Sequence, residues 1–163
     1  MSDANLDPEN TLNLDLKGGR VVIQLRPDLA PQHVEQIKTL VRRGFYDGTV
    51  FHRVIEGFMA QGGDPTGTGT GGSDLDDLRA EFTNAKFVRG TCGMARSQNP
   101  HSANSQFFIM FEPAPHLNGQ YTVWGQVVSG MEHVDAIKRG AGGSGTVSDP
   151  DTIVKAQVAA DAG

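Results

Sequence analysis

The sequence holds little that would tie the protein to an oxidising compartment or to a membrane. Cys92 is the only cysteine among 163 residues, so an internal disulfide is excluded and we expect a buried, unreactive thiol. No stretch approaches the roughly 18 apolar residues that a membrane-spanning helix requires, and residues 1–16 lack a basic segment followed by an apolar one. Cytoplasmic residence is the simplest interpretation, with export after removal of a leader as the alternative.

Positive charge is also scarce. The chain has 14 lysines and arginines against 19 acidic residues, which gives a net charge of -5 and a pI near 5.4. Because nucleic acids and anionic membranes are bound through basic surfaces, this balance argues against both as general partners. The basic run VRRG at residues 41–44 is too short to reverse that conclusion.

Motifs for metal, cofactor or nucleophilic chemistry are missing as well. The histidines show no H-x-x-x-H spacing and a single cysteine cannot form C-x-x-C, so neither a metal nor another cofactor is expected. No serine stands in G-x-S-x-G, which leaves hydrolase chemistry a distant alternative. Residues 67–72, GTGTGG, match the dinucleotide pattern G-x-G-x-x-G, but Pro65 precedes them and an acidic stretch follows, where a strand and a helix are needed. We expect these glycines to form a flexible wall of some other site.

What the sequence does contain favours a loop-rich β protein. It has 21 glycines and 8 prolines, and 37% of its residues are hydrophobic. Apolar residues alternate over 12–16 and again over 21–25, around the turn Lys17-Gly18-Gly19, which is typical of a β-hairpin. Further strands are expected within residues 90–97 and 104–130, and a last one within 149–161.

Two segments have a helical period instead. Residues 31–43 place apolar side chains on one helical face, with Pro31 in the first turn and Gly44 at the end. Residues 131–137 predict a second helix. Because strands and helices do not alternate regularly, an antiparallel barrel with two helices closing its ends fits better than a parallel doubly wound sheet.

Arg53 lies in a strand-like run that Glu56-Gly57 would reverse. Taken alone, a strand arginine most often lies along a solvated face, and Phe58 and Met59 could be ordinary core residues. A reversal would, however, carry Arg53 close to a returning strand on which Met59 and Gln61 share one face. An arginine, a thioether and an amide would then converge with no nucleophile beside them.

The run SQFFIMF at residues 105–111 has two apolar faces. One face carries Gln106, Phe108 and Met110, and the other carries Phe107, Ile109 and Phe111. The second face can fill a barrel. The first is either the floor of a pocket or a surface buried under a helix, and periodicity does not separate the two.

Four segments, taken in order, resemble the cyclophilin family of peptidyl-prolyl cis-trans isomerases in its single-domain bacterial form. They are FHRVIEGFMAQGGDP (51–65), GTGTGG (67–72), SANSQFFIMF (102–111) and HLNGQYTVWGQVVSGME (116–132). The similarity extends from about Leu12 to Ile137. The combination of F-H-R, G-F-M-x-Q-G-G-D and S-Q-F-F-I is far more specific than any glycine motif alone.

This resemblance implies a mainly β fold, a closed eight-stranded antiparallel β-barrel capped by two α-helices, with an active surface outside the sheet. We expect one domain at 11–158 between flexible tails at 1–10 and 159–163. By position, the catalytic residues are Arg53, Gln61 and Phe58. The substrate-binding residues are Met59, Gly69, Ala95, Arg96, Gln106, Phe108, His116, Leu117 and Tyr121.

Three of these positions depart from the family's pattern. Arg96 stands where many members have asparagine, His116 where cyclosporin-sensitive members have tryptophan, and Tyr121 where they have histidine. Loss of the indole donor and its apolar area predicts weak cyclosporin binding.

The implied activity is acceleration of cis-trans exchange at X-Pro bonds of polypeptides, which assists protein folding, and we expect a monomer. Rotation must break amide resonance, a barrier of about 18 to 20 kcal/mol, and no bond is made or cut. As the C–N bond twists, its nitrogen recovers a lone pair, which a fixed N–H donor from Arg53 would stabilise while Gln61 orients the guanidinium. The alternative function is a non-catalytic proline-peptide binding module or holdase chaperone that uses the same groove.

The acidic stretch at residues 73–82 also has two interpretations. It either steers basic substrates or is a solvated loop that keeps the surface soluble, and the solvated loop is favoured.

Overall fold

A computed structural model describes residues 7–69, 71–141 and 144–161. It contains eight strands, two α-helices and three short 3-10 helices at 8–10, 115–117 and 159–161. The strands are β1 (Thr11–Leu16), β2 (Gly19–Leu25), β3 (Arg53–Ile55), β4 (Met59–Gly62), β5 (Thr91–Met94), β6 (Phe107–Met110), β7 (Val123–Ser129) and β8 (Lys155–Val158). The helices are α1 (Pro31–Arg42) and α2 (Met131–Asp135).

All eight strands belong to one antiparallel sheet with the order β3-β4-β6-β5-β7-β2-β1-β8. The sheet curls into a half-barrel, because twisted strands that each turn one face inward wrap around a shared core. The prediction of a mainly β fold with two helices is therefore confirmed.

The prediction of a closed barrel is wrong, since the ladder stays open between β3 and β8. Residues 144–154 lie in the gap instead, where they form single bridges such as Val50 with Thr152 and Arg53 with Thr146. This segment contains Pro150, which lacks an N–H, and Asp149 at φ 51°. Such a backbone covers the open edge without forming a ninth strand.

The predicted hairpin and the two predicted helices are confirmed, with small differences in where they begin and end. Leu16 pairs with Gly19, so the first hairpin turns through Lys17 and Gly18 as expected. Helix α1 ends at Arg42, where Gly44 takes φ 75° and donates its N–H to the carbonyl of Val41. Helix α2 and strand β8 are each shorter than their sequence patterns suggested.

The N-terminus of α1 is capped from a distant part of the chain. Ala30 offers no capping side chain, and the Glu81 carboxylate accepts from the N–H groups of Gln32 (3.2 Å) and His33 (2.9 Å). Glu81 also contacts the buried His33 ring at 2.7 Å. Burial lowers the pKa of His33, although Glu81 opposes this shift.

The two faces of β6 separate two apolar clusters. Phe107 and Ile109 belong to the main core inside the half-barrel, together with the fully buried Trp124. Phe108 and Met110 belong to a second cluster on the outer face. The alternation read from SQFFIMF is thus confirmed, and its Gln106 face lies outside the barrel.

Residues 8–10 and 159–161, which belong to the expected tails, form short 3-10 helices. Arg42 joins the two stretches through ion pairs to Glu9 (2.9 Å) and Asp161 (2.9 Å). Residues 1–6 and 162–163 of the expected tails lie outside the described residues. Among the residues that are described, no helix combines the length and the apolar character needed to span a bilayer.

Candidate active site

The hairpin of β3 and β4 brings Arg53 to Gln61. These two residues are paired across the strands, and Arg53 Nη1 donates to Gln61 Oε1 at 3.2 Å. Arg53 Nε donates to the carbonyl oxygen of Ser144 at 2.9 Å. No ion pair of Arg53 is found among the described residues, so the guanidinium is held by neutral oxygens and keeps its charge uncompensated at close range.

An apolar floor lies beside this arginine because β4 and β6 are neighbours. Met59 pairs with Met110 and Gln61 pairs with Phe108, so the side chains of one face meet across the two strands. The Phe108 ring stacks on Phe87 at 5.7 Å, and Met59 and Phe108 are almost fully buried. The floor is therefore rigid and supported from below.

These side chains line a pocket of about 310 Å³, which we name the apolar pocket. The residues around it are Arg53, Phe58, Met59, Gln61, Ala95, Arg96, Phe108, His116, Leu117 and Tyr121. All ten were predicted as site residues from the sequence. The remaining two, Gly69 and Gln106, line an adjoining polar pocket of about 480 Å³ that shares Gln61, Ala95 and Arg96 with the apolar pocket.

Arg96 joins two segments of the pocket wall. Its guanidinium donates to the carbonyls of Ser97 (2.9 Å) and Gln120 (2.7 Å), and its Cζ atom lies 4.4 Å from the centre of the Tyr121 ring. Tyr121 in turn meets Phe108 edge to face at 5.8 Å. The two departures from the family's pattern at Arg96 and Tyr121 thus form one contact that fixes the wall.

A chain of hydrogen bonds runs from Arg53 into the glycine loop. Gln61 Nε2 donates to Gln106 Oε1 at 3.0 Å, and Gln106 Nε2 donates to the carbonyls of Gly69 and Gly71, each at 3.0 Å. Glycines 69, 71 and 72 line the polar pocket. The prediction that GTGTGG forms a wall of a site agrees with this placement, and Thr70 lies outside the described residues.

The glycine loop is organised by Asp64, which sequence reasoning missed. This fully buried carboxylate accepts hydrogen bonds from several N–H groups of the loop that follows it. Burial would raise the pKa of Asp64, but the hydrogen bonds from Gly71, Thr66 and Gly69 outweigh it and lower the pKa to about 2. Aspartate ahead of a glycine and threonine run is an Asx-turn signal that could have revealed this role.

The chemistry available here is binding and polarisation. The described residues hold no cluster of three metal-ligating side chains, and the lining of the apolar pocket includes neither serine nor cysteine. A fixed guanidinium beside an apolar floor suits an enzyme that holds a small apolar ring and stabilises developing charge without covalent attack. The open antiparallel sheet carries this site on its outer face, which defines a class of protein that binds an apolar group in a surface groove.

Comparison with known proteins identifies that class. The family model for cyclophilin type peptidyl-prolyl cis-trans isomerases matches residues 11–158. The chain belongs to this family and is a peptidyl-prolyl cis-trans isomerase.

Individual relatives agree with the family. A probable peptidyl-prolyl cis-trans isomerase of Brucella suis is 60% identical over 167 residues, covering 95% of this chain and 85% of the relative. A peptidyl-prolyl cis-trans isomerase of Arabidopsis thaliana is 40% identical, covering 83% of this chain and 85% of the relative.

Solved structures show the same fold. A cyclophilin from Hirschia baltica superposes with a TM-score of 0.86 at 29% identity, covering 96% of this chain and 76% of that one. A cyclophilin type isomerase of Cryptosporidium parvum, solved in the presence of the dipeptide Ala-Pro, gives 0.84 at 30% identity, covering 91% and 98%.

Proposed function

We propose that the apolar pocket holds the proline ring of an X-Pro segment and that Arg53 lowers the barrier to rotation. Met59, Phe108 and Leu117 are buried apolar side chains that would contact the ring, with the half-buried Phe58 at its edge. The Ala-Pro dipeptide present with the Cryptosporidium relative supports a proline-containing polypeptide as substrate.

The observation that carries this proposal is the way Arg53 is held. Its Nε and Nη1 groups donate to Ser144 and Gln61, and the guanidinium held in this way lines the apolar pocket. A donor that is already oriented costs no reorganisation when the amide nitrogen becomes pyramidal and regains its lone pair. A guanidinium carries a permanent charge and has no acceptor, so it donates in every step of the exchange.

Ala95 and Gln61 would bind the substrate main chain at the ridge between the two pockets. The N–H of Ala95 already donates to the carbonyl of Gln106, so the carbonyl of Ala95 and the neighbouring backbone are the groups left for substrate. Gly69 and Gln106 would then face the residue that precedes the X-Pro pair, through the polar pocket.

The test is cis-trans exchange of a short Xaa-Pro peptide, followed by two-dimensional NMR with catalytic amounts of protein. We expect Arg53→Ala to lower kcat/KM about 100-fold or more, since loss of a preorganised donor costs roughly 3 to 4 kcal/mol. Arg139→Ala is the matched control, because Arg139 packs on Phe111 and pairs with Glu56, outside both pockets.

The outcomes separate two functions. If folded Arg53→Ala accelerates the exchange as much as the wild-type protein does, the proposed role of the arginine is wrong. Peptide-induced shifts without any acceleration by the wild-type protein would favour the binding module or holdase.

We further propose that the protein acts as a cytoplasmic monomer that binds cyclosporin weakly. The buried, unpaired Cys92 is compatible with a reducing compartment. The open strand edge at β3 is covered by residues 144–147 of the same chain, which removes one surface through which a sheet could pair with a second copy.

A further inference from the structure

Asp64 occupies an unusual position for a carboxylate. It has no solvent exposure, yet none of the lysines or arginines of the described residues forms an ion pair with it. Its two oxygens instead accept hydrogen bonds from the loop that follows, mostly from main-chain N–H groups. Oδ1 accepts from Thr66 N and Thr66 Oγ1, each at 2.8 Å, and Oδ2 accepts from Thr68 N (3.2 Å), Gly69 N (2.5 Å) and Gly71 N (3.1 Å).

The loop is shaped for this carboxylate. A Cβ atom on Gly71 would lie 2.3 Å from Asp64 Oδ1, so only glycine lets the backbone approach so closely. Gly69 has φ 92°, a conformation that side chains disfavour. The loop therefore wraps around the carboxylate with its N–H groups directed inward, which leaves the carbonyl oxygens of Gly69 and Gly71 directed at the polar pocket.

These two carbonyls fix the direction of every hydrogen bond that leads to Arg53. A carbonyl only accepts, so Gln106 must present its NH₂ group to Gly69 and Gly71 and its oxygen to Gln61. Gln61 must then present its NH₂ group to Gln106 and its oxygen to Arg53. A guanidinium only donates, so donors and acceptors match at both ends of this chain of hydrogen bonds. Neither amide can therefore flip without breaking at least two of these hydrogen bonds.

We propose that Asp64 is a positioning residue for the isomerase reaction, acting through the Gly69 and Gly71 carbonyls, Gln106 and Gln61 on the guanidinium of Arg53. This proposal rests on the catalytic role of Arg53 proposed above. Removing the carboxylate frees the loop, and the two amides then lose the acceptors that hold their orientation. Arg53 stays in place but is no longer held in a single orientation.

The experiment compares Asp64→Asn with the wild type in the NMR exchange assay, using an Ala-Pro tetrapeptide as probe. The asparagine side chain resembles aspartate in shape, but its single oxygen would have to accept from the five groups that donate to the Asp64 carboxylate. We expect kcat to fall about tenfold or more with KM changed less than about twofold, as for loss of an interaction made in the transition state. Asp74→Asn is the matched control, because Asp74 lies nearby, is exposed and pairs with Arg43 outside both pockets.

A spectroscopic signature separates positioning from general destabilisation. The side-chain NH₂ signals of Gln61 and Gln106, and the Nε–H signal of Arg53, should shift or broaden in Asp64→Asn while remaining unchanged in Asp74→Asn. Either wild-type kcat or unchanged signals in folded Asp64→Asn would overturn the proposal. Should Asp64→Asn fail to fold, Thr66→Val decides in the same way, since it removes one hydroxyl donor to Asp64 and keeps the side-chain shape.

A double variant tests whether Asp64 acts through the arginine. If it does, Asp64→Asn adds no further loss of activity to Arg53→Ala, whereas multiplied losses would show an independent effect and overturn the proposal.

The experiments also distinguish failure of the proposed function from failure of the role of Asp64. Wild-type activity in Arg53→Ala would remove the proposed function, and a full loss in Arg53→Ala with wild-type kcat in Asp64→Asn would remove only the role of Asp64.

Discussion

His116 and Tyr121 show how far single residues reshape a shared groove. His116 is exposed at the pocket mouth and its ring centre lies 5.9 Å from that of Phe58. Tyr121 is half-buried between Phe108 and Arg96. The His116 imidazole covers less apolar area than an indole would. The contact with Arg96 holds the Tyr121 ring in place.

This arrangement predicts that His116→Trp strengthens cyclosporin binding about tenfold or more. An indole adds apolar contact area and an N–H donor at the rim, and each factor of ten corresponds to about 1.4 kcal/mol. Isothermal titration calorimetry of both proteins measures the change. His116→Phe, which adds area without the donor, should recover only part of the gain, and equal affinity of all three proteins would contradict the explanation.

Strand faces predicted only part of the groove, and the other site residues were implied by the family resemblance. Met59 with Gln61 and Gln106 with Phe108 follow a period of two, and adjacent strands bring both pairs together. Cys92 was likewise expected inside, and it is fully buried, where burial raises the pKa of its thiol. Asp64 was missed because most of its partners are backbone N–H groups, so that only the Asx-turn pattern of aspartate before threonine and glycine could have indicated its role.

At the scale of elements, the acidic stretch has a structural use that neither sequence interpretation included. Glu81 caps helix α1, and Asp77 accepts from Asn104, so part of this stretch ties the helix and the polar pocket together. The partner residues lie 48 and 27 positions away along the chain. Contacts over such separations depend on the whole fold, which is why local pattern could not reveal them.

We expect Glu81→Ala to destabilise the protein by about 2 kcal/mol. It removes the cap of α1 and leaves the N–H groups of Gln32 and His33 without their acceptor. Urea denaturation followed by circular dichroism measures the loss. Asp76→Ala, an exposed acidic residue of the same stretch, should change stability by less than about 0.5 kcal/mol. Similar losses in both variants would refute the capping role.

At the scale of the whole molecule, the sequence predicted the antiparallel sheet but not that the sheet stays open between β3 and β8. Alternation and turns predicted an antiparallel sheet, and the family resemblance implied its eight strands. The open edge depends on residues 144–154, whose glycine, proline and aspartate content gives no period to read. Whether such a segment joins a ladder is decided by tertiary contacts with β3 and its neighbours.

Acid stability offers a global test of the buried carboxylate. Because the pKa of Asp64 lies at about 2 in the folded protein against 3.8 ordinarily, the folded state favours its ionised form. The resulting stabilisation of roughly 2 kcal/mol is complete above about pH 4 and is lost as the pH falls toward 2. Urea unfolding from pH 6 to pH 2.5 should show the difference between wild type and Asp64→Asn shrinking over this window. A difference independent of pH would contradict the assignment.

Arg42 has a consequence for how the fold could be reused. Its guanidinium pairs with both Glu9 and Asp161, so the first and last described segments of the domain lie side by side. A domain with adjacent entry and exit points can be spliced into a surface loop of another protein through short linkers without stretching either partner. Neither Glu9 nor Asp161 lines either pocket, so the inserted copy would carry its groove into the new host intact.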